Sequence, residues 1–281
     1  MTEFRPGHFQ TLPPVVKNII IINVLVVLIQ FLLVKYGINL GDYLGLHYWR
    51  SPKFHWWQFF THLFVHGDPF DVGMTVMHIG FNMFALWMFG RILENVWGPR
   101  RFLIFYLICG LGAAFCHLLV LGYENSVFEK AFMLYQQNPT IDQFILFVKQ
   151  HNLDTIPEFR QLQSFWEADP HCVNCAAKST SFINQYYVAM INTSTVGASG
   201  AVFGVLFAFG YLFPNTTLYF IPIPFPIKAK WVVAGYAAVE LFSGLQNSAG
   251  DNIAHFAHLG GMLFAFILLK IWNNKIRNQF Y

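Results

Sequence analysis

Charge is what this sequence lacks. Only 11% of its 281 residues are Asp, Glu, Lys or Arg, against roughly 25% in an ordinary soluble domain. With 56% hydrophobic residues, too few charges remain to coat a water-soluble fold of this length. Basic runs are missing too, and a net charge of +3 offers no patch for a polyanion, which excludes a nucleic-acid partner. Four cysteines are too few for a disulfide scaffold. Cys109 and Cys116 lie in an apolar run and read as small core residues. Cys172 and Cys175 form a CxxC, read first as a local disulfide and well behind that as a metal site assisted by His171. The HExxH pattern of a zinc peptidase is absent, and neither Asp nor Glu stands beside His62, His66 or His78 inside an apolar run. No metal or other cofactor is expected.

Apolar length is what the chain has instead. Val15–Val34 supplies the ~20 residues that cross a bilayer, with no small-residue cleavage site behind it. Further runs lie at about Met74–Val96, Phe102–Gly122, Ser199–Phe213, Trp231–Gln246 and Ile253–Trp272. They predict an all-α, polytopic membrane protein with a six-helix transmembrane bundle. Pro214 and the cluster Pro222, Pro224, Pro226 close the fourth run. The expected organisation is a short N-terminal segment (1–14), a six-span domain (15–272) with an insertion at 123–195, and a short tail (273–281). Inside the insertion, Ile141–Leu153 has the spacing of an amphipathic helix, packing Ile141, Phe144, Ile145 and Val148. Ten of the 17 basic residues, from Arg5 and Lys17 to Lys275 and Arg277, fall on one set of short loops and span ends, opposed there only by Glu3 and Glu94. The positive-inside rule then puts both termini in the cytoplasm. The first outer segment, 37–73, is rich in Trp and Phe, as suits an element at headgroup level.

Polar residues inside spans carry the functional signal, because each costs a few kcal/mol unless it faces protein or a water-filled cavity. His78 and Asn82 are four apart and share one helical face. Ser199 opens the fourth span, and His255 and His258 lie in the sixth. Taken singly, each is more often interhelical glue or a packing residue. Together they sit toward the outer ends of their spans and make one polar pocket. The run from Ser199 to Pro214 is roughly 22 Å long as a helix, shorter than the ~30 Å hydrocarbon core. Its N-terminus therefore lies below the outer surface, with free backbone N–H groups and a positive dipole end, the parts of an oxyanion hole. Gly200 and Gly204 on this span, with Ala257, Gly261 and Ala265 on the sixth, form small-residue faces that bring the two helices together. Ser199 then meets His258 as a Ser–His dyad. Glu240 is the carboxylate within a span near the outer end, and no spacing places it against His258.

At these residues the chain resembles the rhomboid intramembrane serine proteases. The likeness rests on Gly197-Ala198-Ser199-Gly200, His78-Ile79-Gly80-Phe81-Asn82 and Ala257-His258-Leu259-Gly260-Gly261, with Thr61-His62-Leu63-Phe64-Val65-His66 ahead of the second span. It covers roughly residues 15–272 apart from the insertion. The resemblance implies that Ser199 is the nucleophile and His258 the base, without an acidic third member. It implies that His78, Asn82 and the Ser199 N–H stabilise the oxyanion, and that Gly197, Gly200, Phe203 and Gly261 pack around the dyad. The implied partners are transmembrane protein substrates and the lipid bilayer, with the site opening to the outer face of a bacterial inner membrane. The implied gate is the fifth helix with the loop Gly244–Asn252. Three positions depart from the family pattern: Phe203 replaces a Tyr, Trp57-Gln58 replaces Trp-Arg, and Gly261 is followed by Ala265 where a second Gly is usual. A rhomboid-like protein that binds clients without cutting them, or a small transporter, are the rival readings. No inverted repeat supports the transporter.

Overall fold

A computed structural model describes residues 11–219, 226–246 and 255–277. Pro222, Pro224 and residues 247–254 of the expected gate loop lie outside them, as do the chain ends with Glu3 and Arg5.

The first long helix, α1 (Pro14–Leu33), starts on a proline, which has no N–H to leave unpaired. The free N–H groups of Val15 and Val16 are taken by the Glu94 carboxylate at 2.9 and 2.8 Å. An acid that bonds two orphan donors at the positive end of a helix is stabilised there, which is why Glu94 is buried among apolar neighbours. Two single turns, α2 (Gly41–Leu44) and α3 (Gln58–Thr61), shape the loop that follows. Asp71 caps α4 (Val72–Ala85), accepting from the Met74 N–H. This helix runs through a π turn at Leu86–Gly90 into α5 (Arg91–Trp97). Gly98, at φ +79°, then turns the chain into α6 (Pro99–Gln137).

The 39 residues of α6 span roughly 58 Å, about twice the hydrocarbon thickness. The expected end of this span near Gly122 is therefore corrected: the helix continues into the insertion. No proline or C-terminal glycine stop follows Gly122, and Phe128, Phe132 and Tyr135 give the extension a buried face. Against it pack α7 (Ile141–Gln150) and α9 (Cys175–Asn192), and α8 (Pro157–Ala168) packs on those two in turn. They share a core around Phe144, Phe147, Leu162, Trp166 and Ile183 that is separate from the core of the bundle. The amphipathic helix forms over Ile141–Gln150 and stops short of the expected end at Leu153; Phe144, Phe147 and Val148 are its buried residues, and Ile141 and Ile145 are half-buried. The Tyr135 and Ser179 hydroxyls hydrogen-bond inside this core, and Cys172 and Cys175 are joined as a disulfide.

The chain returns to the bundle as α10 (Ser199–Leu212). A two-residue antiparallel pair, β1 (Thr217–Leu218) with β2 (Ile227–Lys228), leads to α11 (Ala229–Gln246) and α12 (His255–Arg277). Among the described residues, four helical stretches are long and apolar enough to cross a membrane: Pro14–Tyr36, Val72–Trp97, Pro99–Gln137 and His255–Trp272. The other two expected spans fall on α10, which is apolar but shorter, and on α11. Small residues let α10 sit between α6 and α12. A methyl group on Gly204 would lie 2.7 Å from Cys109 Cβ on α6 and 3.0 Å from the Gly261 carbonyl oxygen on α12. One on Gly260 would lie 2.7 Å from Cys116 Cβ. Cys109 and Cys116 are free thiols that occupy these narrow gaps.

Candidate active site

The segment before α10 passes from half-buried at Ser194–Val196 to buried at Gly197 and Ala198, and it is held by the loop between α1 and α4. Leu46 and Thr195 exchange both backbone hydrogen bonds at 2.8 Å. The Gly197 N–H donates to the His62 carbonyl at 2.9 Å, and the Ala198 N–H donates to His66 Nε2 at 3.4 Å. Backbone groups that leave solvent need such partners. Gln30 of α1 fixes the loop in turn: its amide donates to the His66 carbonyl and accepts from the His66 N–H. Burial holds His66 down to a pKa of about 3 and His62 to about 4. Both rings are thus neutral near pH 7, as His66 must be to accept a hydrogen bond at Nε2.

Gln58 is fully buried. Its oxygen accepts from the His47 and His55 N–H groups, and its nitrogen donates to the Lys53 and Tyr43 carbonyls. One neutral amide thus ties together four backbone groups of this loop.

Gly197 has φ +121°, a conformation that side-chain-bearing residues rarely adopt. A methyl group there would also lie 2.9 Å from His78 Nε2. The turn delivers Ser199 to the first position of α10, where the backbone N–H groups of the first turn have no intrahelical partner. Ser199 Oγ lies 2.8 Å from His258 Nε2 of α12. Phe203, one turn along α10, stacks on the His258 ring with centroids 4.2 Å apart and planes 6° from parallel. Gly261 meets the Gly200 backbone directly, so the two helices that carry Ser199 and His258 touch main chain to main chain. His78 packs edge-on to His66 and reaches the Gly197 turn. The Asn82 amide donates to the His78 carbonyl at 3.0 Å, leaving its second N–H hydrogen for another acceptor.

One expectation is corrected. Glu240 of α11 does face His258: its Oε2 lies 2.9 Å from His258 Nδ1 and 2.7 Å from His255 Nδ1. The His255 contact is an aligned hydrogen bond. The His258 contact is close but off the N–H line, so His258 Nδ1 has no aligned partner. Sequence spacing missed this because Glu240 and His258 sit on different helices, and packing alone sets their relative rotation. Glu240, His255 and His258 are also the one grouping of metal-ligand side chains among the described residues, with ligand atoms within 4.8 Å of one another. Two imidazole nitrogens turned onto one carboxylate oxygen is equally the geometry of an ion-pair network. His62 and His66, by contrast, are engaged with backbone. His117 of α6 also belongs to the site, its Nε2 lying 2.7 Å from Thr195 Oγ1. An imidazole inside an apolar run was a legible signal for it.

The family model of the Rhomboid domain matches residues 53–133 and 173–274, leaving unmatched a stretch within the insertion. The chain is 28% identical over 71 residues to the rhomboid protease GluP of Bacillus subtilis (strain 168). That stretch covers 25% of this chain and 13% of GluP, so the chain spans only a small part of that relative. No solved structure gives a significant match.

Proposed function

The chain belongs to the rhomboid family, and from that membership we propose that it is an intramembrane serine endopeptidase that cuts membrane proteins in or near their transmembrane segments. It is an integral, polytopic helical membrane protein. The observation that carries the reading is the 2.8 Å approach of Ser199 Oγ to His258 Nε2 at the start of a short apolar helix. Ser199 attacks the scissile carbonyl carbon while its proton passes to His258 Nε2. The tetrahedral oxyanion lies against the Ser199 N–H, with His78 and Asn82 as further donors. His258 hands the proton to the leaving nitrogen, and water, activated by the same ring, releases the acyl group.

The same reading takes α10 and α11 as the fourth and fifth of six spans. It puts both termini in the cytoplasm of a bacterium, with the site open to the outer face of its inner membrane, and assigns no nucleic-acid partner. The domain runs over 15–272, the 123–195 insertion stands outside the bilayer, and no cofactor enters the chemistry. A rhomboid-like client binder that does not cut is the alternative, and the short Ser199–His258 contact counts against it.

The test is a fluorophosphonate probe combined with cleavage of a single-span substrate by the full chain in liposomes. The wild type should be labelled at Ser199 and should cut. Ser199→Ala and His258→Ala should each be inactive, and the double variant little worse, because the pair acts as a unit. A wild type that takes no probe and cuts nothing from a library of single-span proteins would support the client binder instead.

A further inference from the structure

We infer that Glu240 is a positioning carboxylate for His258, held in place by His255, so that the site works as a Ser–His–Glu triad and not as a bare dyad. This rests on the serine-protease reading above. A carboxylate within a membrane helix is costly unless protein or water meets it, and the Glu240 side chain is only 10% exposed. What meets it are two histidines of α12, both approaching the same oxygen. A structural staple between α11 and α12 needs one of them.

The second is the ring whose other nitrogen lies 2.8 Å from Ser199 Oγ. Carboxylate, imidazole and hydroxyl therefore stand in a row, the order that defines a triad on any fold. For Nε2 to accept the serine proton, the ring hydrogen must sit on Nδ1, and Glu240 Oε2 is the acceptor beside it. The other titratable groups that face His258 are His78 from α4, His117 from α6 and His255 on its own helix. None of these imidazoles can carry a negative charge. Of the described carboxylates, Glu240 is the one in contact with His258.

The off-line angle at His258 Nδ1 is the resting geometry. Catalytic hydrogen bonds are often poorly aligned before substrate binds and tighten in the transition state. His255, three residues earlier on the same face of α12, keeps the carboxylate within reach through its aligned 2.7 Å bond. When Ser199 Oγ bonds to the scissile carbon, its proton moves to His258 Nε2. The imidazolium then pairs through Nδ1–H with Glu240, which stays ionised throughout. The proton leaves on the departing nitrogen as the C–N bond breaks. Glu240 belongs to α11, whereas Ser199 and His258 belong to α10 and α12, so the triad is complete only while α11 packs against α12.

The experiment measures kcat and KM for a single-span substrate with the full chain in liposomes, together with the unfolding temperature. Glu240→Gln keeps the shape and removes the charge. It should lower kcat by about 10²-fold or more, toward the roughly 10⁴-fold lost on the analogous change in a soluble triad, with KM within about threefold. Glu240→Asp should recover at least tenfold of that loss. His255→Ala should lower kcat about tenfold, and adding it to Glu240→Gln should cost no more than Glu240→Gln alone, since His255 acts through the carboxylate. If Glu240→Gln fails to fold, the His255→Ala value decides: an unchanged kcat overturns the triad. A folded Glu240→Gln with kcat within threefold of wild type, while Ser199→Ala is inactive, overturns the triad and leaves the dyad standing. Undiminished cleavage by Ser199→Ala would sink the protease reading itself.

Discussion

Replacing Gly261 with alanine separates the two helices that carry the reacting groups. A methyl group on Gly261 would lie 2.8 Å from the Gly200 carbonyl carbon, and closer still to its oxygen. Carbon pairs rest at about 3.5–4.0 Å, and backbone cannot swing aside as a side chain does, so α10 and α12 must part by roughly 1 Å. Ser199 directly precedes Gly200, and His258 stands three residues before Gly261. The displacement therefore falls across the Ser199–His258 contact, stretching it from 2.8 Å to roughly 3.8 Å, beyond hydrogen-bond range. A misplacement of about 1 Å costs on the order of 10²-fold in rate, and overpacking a tight interface costs about 1–3 kcal/mol of stability. The assay is substrate cleavage in liposomes, with the rate of fluorophosphonate labelling and the unfolding temperature measured on the same preparation. Gly235→Ala on α11 is the control: a methyl group there meets nothing within 4 Å, and the variant should stay within about twofold of wild type. A Gly261→Ala variant that cuts and labels within threefold of wild type would refute the argument that this contact sets the geometry of the site.

Other expectations follow from the neighbouring groups. Asn82→Ala should lower turnover by up to ~10²–10³-fold, the usual loss for one oxyanion donor, and His78→Ala should lower it too. Unchanged turnover in both would remove the pair from the mechanism. Gln58→Ala leaves the His47 and His55 N–H groups and the Lys53 carbonyl without their partner. It should lower the unfolding temperature, at roughly 1–3 kcal/mol for each buried group left unpaired, and an unaltered melt would contradict the role given to this amide. His62 and His66 are held neutral at about 4 and about 3, whereas in an unfolded chain they protonate near ~6.5. Stability from this loop should therefore be full above about pH 6.5 and be lost as pH falls through the window toward 4, with each ring worth on the order of 3 kcal/mol; an acid titration of the unfolding temperature that is flat from pH 7 to 4 would contradict it. A cysteine at Thr195, in a chain lacking the four native cysteines, should react with a membrane-impermeant thiol reagent added outside, and one at the buried Phe209 should not. Labelling of position 195 only from the cytoplasmic side would reverse the proposed topology.

The order of apolar runs and the polar residues set inside them were readable without coordinates, because a bilayer demands apolar helices and penalises every misplaced polar group. Small residues at four-residue spacing on Gly200, Gly204 and Gly261 likewise announced a close helix pair, since only such residues let backbones touch. From these alone Ser199 could be set beside His258. The reach of α6 past Gly122 was not readable, because polar residues of good helix propensity extend a helix as readily as they begin a loop, and only packing against α7 and α9 decides. Nor could the sequence pair Glu94 with the start of α1, nearly eighty positions away, or give Gln58 its four partners. Glu240 is the clearest case. Its 18-residue separation from His258 says nothing about distance, because the two lie on helices whose relative rotation depends on every side chain between them. Periodicity determines which face of one helix is polar; only the tertiary structure determines which polar faces meet.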